Sequence, residues 1–154
     1  MRLDFHELAG FNIRRLHQIS VSIFDDEMAA AEIDLTQVQY AALNALATSP
    51  GIDQGTLAGL IAYDRVTIGG VVDRLVSKGL VVRSANAEDR RAHRLEITPT
   101  GSDLLEVANP IVRRIQRQIL GGLSPEERSL FTALLAKTTT ANNARSKAPL
   151  RFPG

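Results

Sequence analysis

Four side chains able to bind an anion stand within one short run, Asp89-Arg90-Arg91-Ala92-His93-Arg94, where Arg90, Arg91, His93 and Arg94 crowd a polar turn. A guanidinium offers a rigid fork of N–H donors suited to phosphate oxygens and base edges. Residues 83–94 hold four arginines against two acids, Glu88 and Asp89. Valine-rich Leu80-Val81-Val82-Arg83 precedes the turn and alternating Leu95-Glu96-Ile97 follows it. The unit therefore reads as a two-stranded hairpin with arginines at its tip. Such a tip has the width of a DNA minor groove, whose negative potential attracts arginine.

The elements that would position this tip lie just upstream. From Asp64 to Gly79, Val66, Ile68, Val71, Val72, Leu75 and Val76 recur at helical spacing, and Gly79 stands where a helix stop is expected. Gln54 to Ile61 reads as a shorter helix separated from it by a tight connection. Helix, turn, helix, hairpin is the order of a winged helix-turn-helix, in which the second helix enters the major groove and the first crosses the backbone. On the second helix, Arg65, Thr67, Gly69, Gly70 and Arg74 are the candidate DNA contacts. Arg65, in the first turn, suits a bidentate contact to guanine. The pair Gly69-Gly70 costs helix stability, about 1 kcal/mol each against alanine in a helix interior; close approach of backbone to DNA and tight helix packing are both open explanations. Asp73 faces phosphate repulsion and is assigned instead to pairing with a nearby arginine, holding helix or wing in place. Gln54 and Thr56 can offer donors to a phosphate, a contact that positions the protein without reading sequence.

At these residues the chain resembles the MarR family of transcriptional regulators. The resemblance rests on Leu35-Thr36-Gln37-Val38-Gln39-Tyr40, on Val72-Asp73-Arg74-Leu75 followed by Lys78-Gly79-Leu80-Val81, and on Asp89-x-Arg91 followed by Leu95, Ile97-Thr98 and Gly101. It runs from about residue 10 to about residue 145. It implies that Asp89 orients Arg91 into the minor groove, leaving Arg90 and His93 to phosphate contact, and that the terminal helices form a homodimer. It also implies a small aromatic acid as effector, bound between the dimer helices and the winged part and releasing DNA. Arg14-Arg15-Leu16-His17-Gln18, with Ile68 to Arg74, most resembles members governing catabolism of aromatic acids, hydroxylated pyridine carboxylates among them.

Composition bounds the rest. A chain of 154 residues, 44% hydrophobic, can bury one core. Its net charge of +1 supplies no global attraction to a polyanion, so the local charge must. No run of about 18 apolar residues and no charged-then-apolar leader occurs, and a cytoplasmic protein without membrane attachment is expected. With no cysteine, thiol oxidation is not the input signal. The three histidines, His6, His17 and His93, form no ligand pair, so no metal is expected. No nucleophile with its base and no phosphate loop is found, so an enzyme is not expected.

The ends read as helix. Residues 4–31 carry Phe5, Leu8, Ala9, Leu16, Ile19, Ile23 and Phe24 on one face. Thr98-Pro99 marks the start of a helix to about Leu120, stopped by Gly121-Gly122. Ser124-Pro125-Glu126-Glu127 starts the last helix, with Leu130, Phe131, Leu134 and Leu135 as its buried stripe. The expected architecture is mainly α with a small two- or three-stranded β-wing. Residues 1–34 and 99–146 would dimerise, 35–98 would bind DNA, and 147–154 would be a flexible tail. Two-fold symmetry would place two recognition helices roughly 34 Å apart on a palindromic operator, and a compact dimer acts most simply as a repressor. For the effector, Arg14, His17, Ser20, Phe24 and Tyr40 are the candidate ligand-binding residues: charge-assisted hydrogen bonds for a carboxylate, apolar walls for the ring. The competing readings are a winged helix that docks an acidic protein partner and a regulator answering a non-aromatic signal.

Overall fold

The computed structural model describes residues 4–89 and 91–154. Arg90, a candidate DNA contact, lies outside the described residues. Helix α1 spans Ala9–Ala30, behind a separate 3₁₀ turn at Phe5–Glu7. The expectation of one helix over 4–31 is corrected by a break at Leu8, whose backbone is extended. The Asp4 carboxylate accepts from the His6 N–H and closes a turn of its own, while the Asn12 amide donates to the carbonyls of His6 and Leu8.

Helix α2, Gln37–Thr48, opens with a reciprocal cap between Thr36 and Gln39. Helix α3, Gln54–Leu60, is capped by Asp53, which takes the Thr56 N–H at 2.6 Å. Helix α4 covers Ile68–Ser77, later than the expected start at Asp64. Asp64 is the reason: its carboxylate accepts from both the N–H and the hydroxyl of Thr67, at 3.1 Å each, holding Arg65–Thr67 as a turn before regular helix begins. Gly69 and Gly70 consequently fall in the first turn of α4, where the helical cost of glycine is smaller than in an interior.

Strands β1 (Val81–Ala85) and β2 (His93–Ile97) pair antiparallel, Val81 opposite Ile97 and Ala85 opposite His93. Ile52 adds a single bridge to Leu95. His93 and Arg94 therefore belong to a strand and not to the turn in which they were expected. Helix α5 runs Pro99–Ile119 and α6 Pro125–Ala141; Thr98 and Ser124 are their caps. Thr98 also donates its hydroxyl to the Gly79 carbonyl at 2.7 Å, binding the start of α5 to the end of α4.

One core joins all of this. Phe24 and Met28 of α1, Leu43 of α2, Val72 of α4, Leu95 of β2 and Ile115 of α5 are buried in a single cluster. Helix α6 stands apart, with no buried residue. Leu130 and Leu134 are 61% and 52% exposed, and Leu135 is exposed too, so the expected buried stripe is not buried within the chain. On α1, Ile13 and Ile19 are likewise exposed.

After α6 the chain turns at Asn143–Arg145 and folds back: the Arg151 N–H donates to the Gly59 carbonyl of α3 at 2.9 Å. The Asn143 side chain both donates to and accepts from the backbone of Leu150, at 2.9 and 2.8 Å. These bonds fix a segment whose small and proline residues gave no helix or strand pattern to read.

Candidate nucleic-acid interface

The turn before α4 and the exposed side of α4 present Arg65, Val66, Thr67, Gly70 and Arg74 together to solvent. Val66, whose spacing in the sequence predicts a core position, is 88% exposed, because the Asp64 turn rotates it away from Ile68, which is buried. An exposed aliphatic group in this position has the chemistry to touch a thymine methyl. Thr67 is differently placed, since its hydroxyl is already committed to Asp64. Gly70 has nothing within 4 Å of where a Cβ would stand, and Gly69 has only the Gln54 side-chain amide, at 3.3 Å. For Gly70, helix packing does not account for the missing side chain.

Arg65 folds back over α3. A Cβ on Gly55 would lie 2.6 Å from its Nη2, so the bare backbone of Gly55 makes room for the guanidinium. Gly55 was not among the sequence candidates; a glycine inside so short a helix was the available signal. Thr56 offers its hydroxyl on the same side, but its N–H is spent on Asp53. Arg65 also lines a cleft with Asp53, Gln54, Arg91 and His93, which makes the tip end of the hairpin and the start of the recognition helix one continuous surface.

The hairpin is tied to α4. Arg83 of β1 donates to Asp73 of α4 at 2.7 Å. Lys78, after α4, pairs with Asp34 at 2.8 Å and donates to the Asp34 carbonyl and to Gln39, fastening the recognition helix to the entrance of α2. Gln39 is the one buried polar side chain among the described residues. At the tip, Asp89 accepts from the Arg91 backbone N–H at 2.9 Å, and the Asn86 side chain from the Glu88 N–H, so each carboxylate or amide shapes the turn through backbone. Asp89 thus meets Arg91 by its main chain, not by its guanidinium, which is exposed.

The five candidate ligand residues are not brought together. His17 and Ser20 line a cavity of about 450 Å³ between α1, α5 and α6, walled by Leu16, Ile119, Phe131 and Leu135. Ser20 is additionally held by Gln37, whose amide donates to its carbonyl and hydroxyl. Phe24 is in the core, 6.4 Å between ring centroids from Tyr40, whose hydroxyl donates to Asn109. Arg14 points elsewhere, donating to Gln18 and lying over the Phe11 ring. Helical spacing alone could not separate the inner side of α1 from its edge.

A helix-turn-helix followed by a basic hairpin, carried on long terminal helices, defines a winged-helix DNA-binding regulator. The chain belongs to the MarR family, whose model matches residues 33–92. It is 34% identical to the transcriptional regulator HosA of Escherichia coli over 86% of this chain and 92% of that one. It is 34% identical to the HTH-type transcriptional repressor NicR of Pseudomonas putida, over 87% and 84%. The structure of BpsR from Bordetella bronchiseptica, whose DNA binding is regulated by 6-hydroxynicotinic acid, superposes with a TM-score of 0.84 at 31% identity, covering 90% of this chain and 98% of that one. No helix among the described residues is long and apolar enough to cross a membrane.

Proposed function

We propose that this chain is a cytoplasmic homodimeric repressor that binds palindromic operator DNA and is released by a small aromatic acid. The observation that carries the DNA reading is the exposed row Arg65, Val66, Thr67, Gly70 and Arg74 beside a hairpin locked to the same helix by Arg83 and Asp73. In this reading Arg65 and Val66 meet base edges, Arg74 and His93 meet phosphates, and Arg91 enters the minor groove. The repressor role draws support from the name of NicR, and the effector class from BpsR.

For the effector we assign the cavity that holds His17 and Ser20. Its lining is largely aliphatic with Phe131, and includes Gln116 and His17 as polar residues, a mixture suited to a ring bearing a carboxylate. Because the cavity touches α1, α5 and α6 together, an occupant would alter the spacing of two recognition helices in a dimer. Mobility shift of the chain on its own upstream DNA, at fixed salt, with and without a panel of hydroxylated benzoic and pyridine carboxylic acids, tests both halves. Binding that one acid abolishes supports the whole proposal, and His17→Ala should then weaken the acid's effect while leaving DNA affinity unchanged. Binding that no acid alters sinks the effector half, and absence of DNA binding shifts the basic hairpin to an acidic protein partner.

A further inference from the structure

We infer that the C-terminal segment Asn143–Gly154 is an arm that grips the DNA backbone beside the recognition helix, an inference that rests on the DNA-binding reading above. The segment carries Arg145, Lys147 and Arg151 and no acid. Its course is set by main-chain bonds: Asn143 clamps Leu150, and the Arg151 N–H is held by the Gly59 carbonyl. Gly59 permits that approach, since a Cβ there would sit 3.1 Å from the Arg151 Cβ. The cationic ends of Lys147 and Arg151 are not used in anchoring, and among the described residues neither has an ion-pair partner.

What the fold-back creates is a cleft of about 240 Å³ with Thr56, Tyr63 and Arg65 on one wall and Lys147, Arg151 and Phe152 on the other. Three cationic and two hydroxyl-bearing residues are among those that line it, beside apolar Pro149, Phe152 and Pro153, and no acidic side chain is. Lys147 and Arg151 are the donors this cleft offers a phosphodiester, next to an Arg65 that is turned to base edges. Arg65 belongs both to this cleft and to the one shared with Arg91 and His93. Arg65 therefore links the hairpin side to the tail side, with Asp53, whose carboxylate caps α3, the one acid along the way. A segment that masked the helix in place of DNA would neutralise Arg65 with acids; this one brings further positive charge, and a polyanion relieves the resulting repulsion.

The test uses the full chain and the double variant K147Q/R151Q, in which every anchoring main-chain bond is retained. Dissociation constants for the operator duplex and for an unrelated duplex are measured by fluorescence anisotropy over a salt series, with thermal melting to verify the fold. The expected result is an operator affinity lower on the order of tenfold, an equal loss on unrelated DNA, and a log–log salt slope shallower by about 0.9 for each lost phosphate contact. Unchanged affinity and slope in a variant that still binds operator overturns the arm. Tighter binding by the variant, or by a chain ending at Ser146, overturns it in favour of a masking segment. If the full chain itself binds no DNA at low salt, the DNA reading fails first and the arm with it.

Discussion

Arg83 on β1 donates to Asp73 on α4 across 2.7 Å, so that the first strand of the wing and the recognition helix are held in one register. The two parts of a winged helix enter different grooves, and a base contact made by one is useful only if the other arrives in step. The pair lies at the surface, Asp73 being 66% exposed, where ion pairs contribute about 0.2–1 kcal/mol. Its role is positional more than stabilising.

Asp73→Asn is accordingly expected to lower unfolding free energy by less than about 1 kcal/mol while weakening operator binding on the order of tenfold, or about 1.4 kcal/mol. Urea unfolding and anisotropy on the same preparation separate the two effects. The charge exchange D73R/R83D should recover part of the affinity. Wild-type affinity in Asp73→Asn would show that the wing finds its groove without this tie.

Two glycines should respond to alanine with opposite signs. At Gly101 a Cβ would run into the Leu80 carbonyl oxygen and stand 2.8 Å from Ile97 Cγ1, so α5 could not seat against the hairpin. Overpacking of this kind costs about 1–3 kcal/mol. At Gly70 the space is open, and alanine should stabilise by less than the helix-interior value of about 1 kcal/mol while impeding DNA approach. Thermal melting gives the signs; a destabilised Gly70→Ala would mean that its bare backbone serves the fold.

Most of the frame was legible in the sequence because it is local. Caps at Thr98 and Ser124, the stop at Gly79 and the alternation on β2 are all written within a few residues. The misreadings have one cause, contacts made across distance or by side chain to backbone. Asp64 delays α4 and turns Val66 outward, and its side-chain bond to Thr67 leaves no periodic trace. The ligand candidates scattered for the same reason, since Tyr40 and Arg14 satisfy themselves with Asn109 and Gln18.

Acid should loosen the junction of α1 and α5. Donors from Gln118 and Arg114, the latter at 3.0 Å through Nε, hold the Glu27 carboxyl below its ordinary value of 4.5. A carboxylate whose folded pKa is depressed contributes stability that is complete above the unfolded value and is lost as pH falls through the folded one. Glu27→Gln should therefore be less stable than the parent at neutral pH, with the gap closing in acid below that ordinary value. Urea unfolding of both chains from neutral pH into that acid range checks the sign, and a gap constant with pH would locate its origin in packing.

The uncovered faces of α6 and α1 make the strongest demand on a second copy of the chain. Leu130 and Leu134 stand one helical turn apart, both more than half exposed, and α6 buries nothing of its own. Water-exposed stripes of this kind are costly to leave uncovered and fit a two-fold interface between identical helices. Leu134→Asp should convert the proposed dimer to monomer in sedimentation velocity at micromolar concentration. Operator affinity should fall by roughly a hundredfold or more, because two linked recognition helices bind with an avidity that one lacks. Each monomer would retain its core, so melting should remain cooperative. A variant that stays dimeric would place the interface elsewhere, and a parent that is monomeric at those concentrations would leave the spacing of two recognition helices to be set by the DNA.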